Sequence, residues 1–150
     1  MGTRSKSGYD LGPLAAPERE RLARGLSAEE RRVLLDHGTE PPFCGGLLTN
    51  KEAGVYTCRL CGLPLFRSTT KFESGTGWPS FSESFDPEHI TSLRDRSYGM
   101  ERIEIRSRRC DGHLGHVFPD GPPPTGHRYC LNSASLAFVA GDPPPPDASA

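Results

Sequence analysis

The sequence has no apolar run approaching the roughly twenty residues that a membrane-spanning helix requires, so no bilayer-embedded helix is expected. It also has no excess of charge. Lys and Arg number 18 against 19 Asp and Glu, a formal net charge of -1, and nothing in that balance calls for nucleic acid or an anionic membrane as partner. Met1-Gly2-Thr3-Arg4-Ser5-Lys6 is followed by no continuous apolar segment, so a secretory signal is not expected and a reducing cytoplasm is. There, cysteines serve catalysis or metal binding more often than structural disulfides. The chain has 5 of them, an odd number that leaves at least one unpaired in any disulfide scheme. Apolar residues are scarce too, at 34% with a mean hydropathy of -0.55, and part of the deficit falls in the two tails. A length of 150 residues with this composition suits one domain around a modest core.

What is present changes character along the chain. Residues 1–15 mix Gly, Ser, Lys and Pro without periodicity and read as a flexible arm. Pro17 to Arg24 suits a short polar helix. Ser27-Ala28-Glu29-Glu30 has the form of a capping box, so a helix is expected through Val33, Leu34 and Leu35, ending at Gly38. The loop from Thr39 to Gly46 contains Pro41-Pro42 and carries Cys44. Beyond it, short alternating segments separated by Gly, Pro, Asn and Asp signal antiparallel β structure. The cleanest is Arg102-Ile103-Glu104-Ile105-Arg106, with Ile103 and Ile105 expected to face inward. The only tryptophan, Trp78, sits in a Gly- and Pro-punctuated loop, Ser74 to Phe81. The domain is expected over residues 16–140, and 141–150, with four consecutive prolines, reads as a disordered tail.

Chemistry concentrates near the C-terminal end, in Arg109-Cys110-Asp111-Gly112-His113-Leu114-Gly115-His116-Val117-Phe118 and Gly126-His127-Arg128-Tyr129-Cys130-Leu131-Asn132-Ser133. If Arg128 to Asn132 is extended, Arg128, Cys130 and Asn132 share one face and Tyr129 and Leu131 point to the core. A guanidinium beside a thiol on one face favours the reactive thiolate, which makes Cys130 the candidate nucleophile rather than a buried structural thiol. His113 and His116 offer a proton donor near neutral pH. They differ in parity, and Gly115 between them permits the bend that would aim both at one site. Trp78, in its loop, suits the wall of a pocket for a small apolar group. Separately, Cys58-Arg59-Leu60-Cys61-Gly62 has the spacing of a zinc knuckle, with Cys110 as a third thiolate. Ser107 stands where a second such pair would place a fourth cysteine. A metal-free remnant and a redox pair are the competing readings.

Gly77-Trp78-Pro79-Ser80-Phe81, His113-Leu114-Gly115-His116-Val117-Phe118 and Arg128-Tyr129-Cys130-Leu131-Asn132-Ser133, in that order, closely resemble the B-type peptide-methionine (R)-S-oxide reductases. The likeness runs from about Ser27 to Val139 and includes Gly38-Thr39-Glu40-Pro41-Pro42-Phe43. It implies a mainly β fold of two antiparallel sheets, as a small barrel or tent with a short N-terminal helical segment, and a zinc site remote from the catalytic centre. It implies reduction of the R epimer of methionine sulfoxide in proteins, with recycling by thioredoxin. A monomer without an organic cofactor is expected. Residue by residue, Cys130 matches the family's nucleophile, His113, His116 and Asn132 match residues around the sulfoxide, and Trp78 matches the residue on which the substrate methyl packs. Arg128 beside the thiol and Phe81 beside the tryptophan motif complete the expected site. The sulfoxide would yield methionine and a Cys130 sulfenic acid.

The chain departs from the family pattern twice. Many members carry a resolving cysteine where this chain has Thr76, and zinc-binding members carry a cysteine where it has Ser107. With Cys58, Cys61 and Cys110 engaged elsewhere, Cys44 becomes the candidate resolving thiol, against direct reduction of the sulfenic acid. Two rival classes are a zinc-stapled β domain that only binds a partner and a cysteine–histidine hydrolase. Neither accounts for the sequence as well: the first leaves Cys130 and its neighbours unexplained, and the second needs an oxyanion hole for which no pattern is present.

Overall fold

A computed structural model describes residues 4–41, 43, 45–96, 99 and 101–143. Cys44 and the end of the proline-rich tail, 144–150, lie outside the described residues. The described residues include two short helices, α1 (Ala16–Ala23) and α2 (Ala28–Leu34), followed by nine strands: β1 (Gly54–Cys58), β2 (Pro64–Arg67), β3 (Lys71–Phe72), β4 (Ser80–Phe81), β5 (Ile90–Asp95), β6 (Arg102–Ser107), β7 (His113–Phe118), β8 (Arg128–Leu131) and β9 (Leu136–Ala140). Neighbouring strands are antiparallel throughout. They form a three-stranded sheet in the order β2-β1-β9 and a six-stranded sheet in the order β3-β4-β8-β7-β6-β5. The mainly β, two-sheet expectation holds. Among the described residues neither sheet closes on itself, so the two sheets are open rather than a barrel.

Local signals explain the helices. Ser27 Oγ accepts from Glu30 N at 3.2 Å, and Glu30 Oε1 accepts from Ser27 N at 2.9 Å, which satisfies two amides at the start of α2. Its buried Val33 and Leu34 turn toward β7 and the turn Ser133–Ser135. Aromatic side chains fill the core between the sheets. Phe66 stacks on Phe81 at 4.7 Å between centroids, and Tyr56 meets Phe81 edge-on at 5.0 Å. Burying such side chains stabilises by about 1.5–3 kcal/mol each.

Two expectations about packing meet a different structure. Residues 4–15, read as a flexible arm, lie packed on the domain. Tyr9 and Leu11 are buried, Tyr9 meets Phe85 and His89 edge-on, and Ser5 Oγ lies 2.8 Å from His89 Nε2. In β6, Ile105 is fully buried as expected, but Ile103 is 37% exposed and Glu104 between them is buried. The face opposite Ile105 is therefore not a solvated face; it carries the polar side chains described next.

Candidate active site

Strand register brings the C-terminal motifs together. Cys130 lies opposite Ser80 on β4 and opposite His116 on β7. Directly opposed residues in an antiparallel pair present side chains on the same face. The β6–β7 pairing slips between Ile105 and Arg106: Ile105 faces Gly115 whereas Arg106 faces His113, so one residue of β7 is extra. That bulge cancels the parity difference and puts both histidines on one face, with ring centroids 5.6 Å apart. Gly115 is required for a second reason. A Cβ there would lie 2.0 Å from the Cys130 carbonyl oxygen, so only glycine lets β8 come this close.

Thr39, Trp78, Arg102, His116, Cys130 and Asn132 are among the residues that line a pocket of about 100 Å³. Cys130 is half-buried, with Sγ 3.8 Å from Thr76 Oγ1. Burial pushes its thiol pKa up, and this outweighs the hydrogen bond from Thr76 and the positive charge of Arg128, which act the other way. The guanidinium of Arg128 is itself engaged, donating to both carboxylate oxygens of Asp120 at 2.9 and 3.2 Å and lying 4.4 Å over the Phe118 ring. Its pull toward thiolate is present, as its place two residues from Cys130 suggests, but burial prevails.

Asn132 follows the end of β8 and locks the pocket floor. Its Nδ2 donates to Leu114 O at 3.1 Å, and its Oδ1 accepts from Glu40 N at 3.0 Å. Glu40 carries this further. Its buried carboxylate accepts from Ser133 N at 2.8 Å and Ala134 N at 2.9 Å, and its carbonyl accepts from Trp78 Nε1 at 2.9 Å. One residue thus ties the tryptophan wall to the strand that ends beside Cys130. Phe81, expected beside Trp78, is not in this group. It pairs with Tyr129, one step from Cys130, so its side chain points to the opposite face and lies fully buried in the aromatic core.

Each histidine is held by a carboxylate. His116 Nε2 lies 2.8 Å from Asp95 Oδ2. His113 Nδ1 lies 2.7 Å from Glu104 Oε2, and the exposed His37 reaches the same oxygen with Nδ1 at 3.1 Å. Arg106 forks onto Glu104 at 3.0 and 3.1 Å. Burial alone would raise the Glu104 pKa, but the hydrogen bonds from Arg106 and His113 take it down to about 2. Burial lowers His113, against the pull of Glu104, and so favours the neutral ring. With Nδ1–H given to Glu104, His113 Nε2 is buried and has no hydrogen-bond partner among the described residues. Glu40, Asp95 and Glu104 were not read as site residues from sequence. The one signal was Glu104, a lone acid inside the most regular apolar alternation.

The second cysteine cluster stands apart from the pocket, where the turn after β1 meets the turn after β6. Cys58 Sγ and Cys110 Sγ are 3.5 Å apart, and Cys61 Sγ is 3.3 Å from Ser107 Oγ. The ligand atoms of Cys58, Cys61 and Cys110 all lie within 4.8 Å of one another. Hydrogen bonds from Cys58 and Cys61 hold the Cys110 thiol well below its ordinary pKa, and sharing that contact pushes Cys58 and Cys61 up. Tetrahedral zinc with bonds of about 2.3 Å needs sulfurs about 3.8 Å apart. The cluster fits that need, with the fully buried Ser107 hydroxyl on its fourth side.

Residues 26–140 match the family described as SelR domain. A peptide methionine sulfoxide reductase MsrB of Caulobacter vibrioides is 64% identical over 145 residues, covering 97% of this chain and 91% of that protein. This chain belongs to the MsrB family. The MsrB of Xylella fastidiosa (strain M23) is 61% identical over 131 residues, covering 87% of this chain and 84% of its own length. The MsrB of Escherichia coli O45:K1 is 58% identical over 126 residues, covering 84% of this chain and 92% of the relative. MsrB membership spans every element of the pocket, since the matched residues run from before α2 to the end of β9.

Proposed function

We propose that this MsrB protein repairs oxidised proteins by reducing methionine-(R)-sulfoxide with Cys130 as nucleophile. The observation that supports this reading most directly is the cross-strand pair of Cys130 and His116 in one pocket with Trp78. Cys130 Sγ attacks the sulfoxide sulfur, the S–O bond breaks, and the oxygen ends on Cys130 as a sulfenic acid. The methionine sulfur gains the two electrons that the cysteine sulfur loses, and the thiol proton replaces the one taken up by the departing oxygen. With Nε2–H held by Asp95, His116 Nδ1 can take that proton and pass it on. His113, neutral and buried beside it, meets its ring edge-on and is held by Glu104. Trp78 offers the apolar wall for the S-methyl, and Arg128 and Asn132 fix the two ends of the strand that carries the thiol.

Two external thiols then return the sulfenic acid to thiol and release water, with thioredoxin as the reductant. Cys44 is the resolving residue of one route; direct reduction of the sulfenic acid is the other. The reaction belongs in a reducing compartment such as the cytoplasm, in keeping with four free thiols at Cys58, Cys61, Cys110 and Cys130. The protein works as a monomer, since one chain supplies the whole pocket. Cys58, Cys61 and Cys110, with Ser107 beside them, would hold a structural zinc, which would cross-link the turns after β1 and β6. The deciding experiment offers peptides of each sulfoxide epimer with dithiothreitol. Consumption of the R epimer alone is expected, and equal or absent consumption of both overturns the reading.

A further inference from the structure

Beside the Cys130 pocket lies a second, more apolar groove of about 250 Å³, whose walls include Phe43, Leu48, Phe72, Trp78 and Pro79. Trp78 lines both cavities, so the two adjoin at one indole. Phe43 forms the outer lip. It is 69% exposed, the more exposed of the two large apolar side chains at the surface among the described residues. Its backbone is left-handed, with φ 65, and its N–H donates to Gly77 O at 2.7 Å, next to Trp78. An aromatic residue in that region is strained, and strain of this kind persists where surrounding structure imposes it. The phenyl ring is thus held out over the groove rather than folded into the core.

We infer that this groove is a subsite for the substrate chain, and that it receives an apolar side chain two residues from the oxidised methionine. The inference rests on the reduction proposed above and adds a substrate class to it. A methionine sulfoxide in a polypeptide brings its neighbours to the rim of the Cys130 pocket. In an extended chain the side chains at i and i±2 point the same way, about 7 Å apart, so a residue two places from one held beside Cys130 comes to the pocket that shares the Trp78 ring. Methionine packs in apolar surroundings, so the segments that expose an oxidised one are rich in apolar neighbours. Glu73, on the groove's border and paired with Lys51 at 3.2 Å, makes its edge polar.

The test uses four R-sulfoxide substrates with the full-length enzyme and dithiothreitol: N-acetyl-methionine sulfoxide methylamide, an all-glycine pentapeptide with central methionine sulfoxide, and the same peptide with phenylalanine at -2 or at +2. One phenylalanine peptide is expected to exceed the glycine peptide by about tenfold in kcat/KM, mainly through KM. Phe43→Ser is expected to erase that preference and to leave turnover of the blocked amino acid unchanged. Leu48→Ser, also in the groove lining, should reduce it in the same way. Equal rates on all three peptides, or a preference that survives Phe43→Ser, overturns the subsite while leaving the reduction standing. Absence of turnover on the blocked amino acid as well as the peptides overturns both.

Discussion

His116 stands directly opposite Cys130 across β7 and β8, and the bulge between β6 and β7 turns His113 to the same face. Without the extra residue, His113 would fall on the far side of the sheet, and Glu104 would be left with Arg106 and His37. Gly115 lies against the Cys130 carbonyl, so the spacing of His116 from Cys130 is set by backbone contact rather than by side-chain length.

Gly115→Ala tests that spacing. The added methyl meets backbone at 2.0 Å, and backbone cannot turn aside as a side chain can. We expect a stability loss of about 1–3 kcal/mol from overpacking and a fall in kcat of about a hundredfold from displacement of Cys130. Thermal unfolding and single-turnover rates measure the two separately, and wild-type values in both would show that β8 has room to move.

The thiol itself gives a pH signature. Burial raises the Cys130 pKa above the ordinary value of 9.0, with Thr76 and Arg128 opposing it. Cys130 is therefore a thiol in the resting enzyme at neutral pH. Its alkylation rate by iodoacetamide should climb with pH to a midpoint above 9.0 and be lost entirely in Cys130→Ser, which should also abolish reduction of the R sulfoxide. Arg128→Ala removes a cation and should move the midpoint further up. A midpoint near neutrality would mean that the guanidinium, not burial, dominates.

Glu104 links the histidines to stability in acid. Its carboxyl is depressed from 4.5 to about 2 in the folded protein, so its contribution is fully present above about 4.5 and disappears as pH falls toward 2. Glu104→Gln should cost about 2 kcal/mol at neutral pH, and the gap between variant and wild type should close through that acid window. Urea unfolding at several pH values reads it directly. A constant gap would place the stabilisation in packing instead of ionisation.

The recycling route can be decided by counting thiols after one turnover without reductant. Loss of two thiols and a peptide joining Cys44 to Cys130 is expected for an internal disulfide. Loss of one thiol, with Cys44→Ser unimpaired under thioredoxin, assigns direct reduction of the sulfenic acid.

Much of this architecture was legible in the sequence because it is written in short-range patterns. The Ser27–Glu30 cap, the strand carrying Cys130 and the loop carrying Trp78 each depend on residues a few places apart. Glu40 and Glu104 were not legible as site residues. An acid reads as solvated until its partners are known, and the Glu40 carboxylate finds them at Ser133 and Ala134, far along the chain. The same holds for Tyr9: its burial against Phe85 and His89 is a long-range contact that no periodicity announces. Phe81 failed for a narrower reason. Its neighbour in sequence, Ser80, has the parity that faces Cys130, and a single residue's shift along a strand changes the face.

The cysteine cluster supplies the last prediction. Three thiols and a buried hydroxyl already sit at ligand distances, with Cys61 Sγ 3.3 Å from Ser107 Oγ and Cys58 Sγ 3.5 Å from Cys110 Sγ. A neutral serine hydroxyl binds zinc far more weakly than a thiolate, so the natural protein should take up zinc substoichiometrically after dialysis. Ser107→Cys changes one buried atom and supplies the fourth sulfur. Metal binds the folded form, so its binding free energy adds to folding. With zinc at a hundredfold over its Kd the gain is about 2.7 kcal/mol, or a rise in Tm of roughly 10 °C for a domain of this size. In excess chelator the variant should melt within a degree or two of wild type, because sulfur and oxygen fill nearly the same space there. Elemental analysis and paired melting curves with zinc and with chelator test both halves. Stoichiometric zinc in the natural protein and no gain in the variant would show that the three cysteines already complete the site with Ser107.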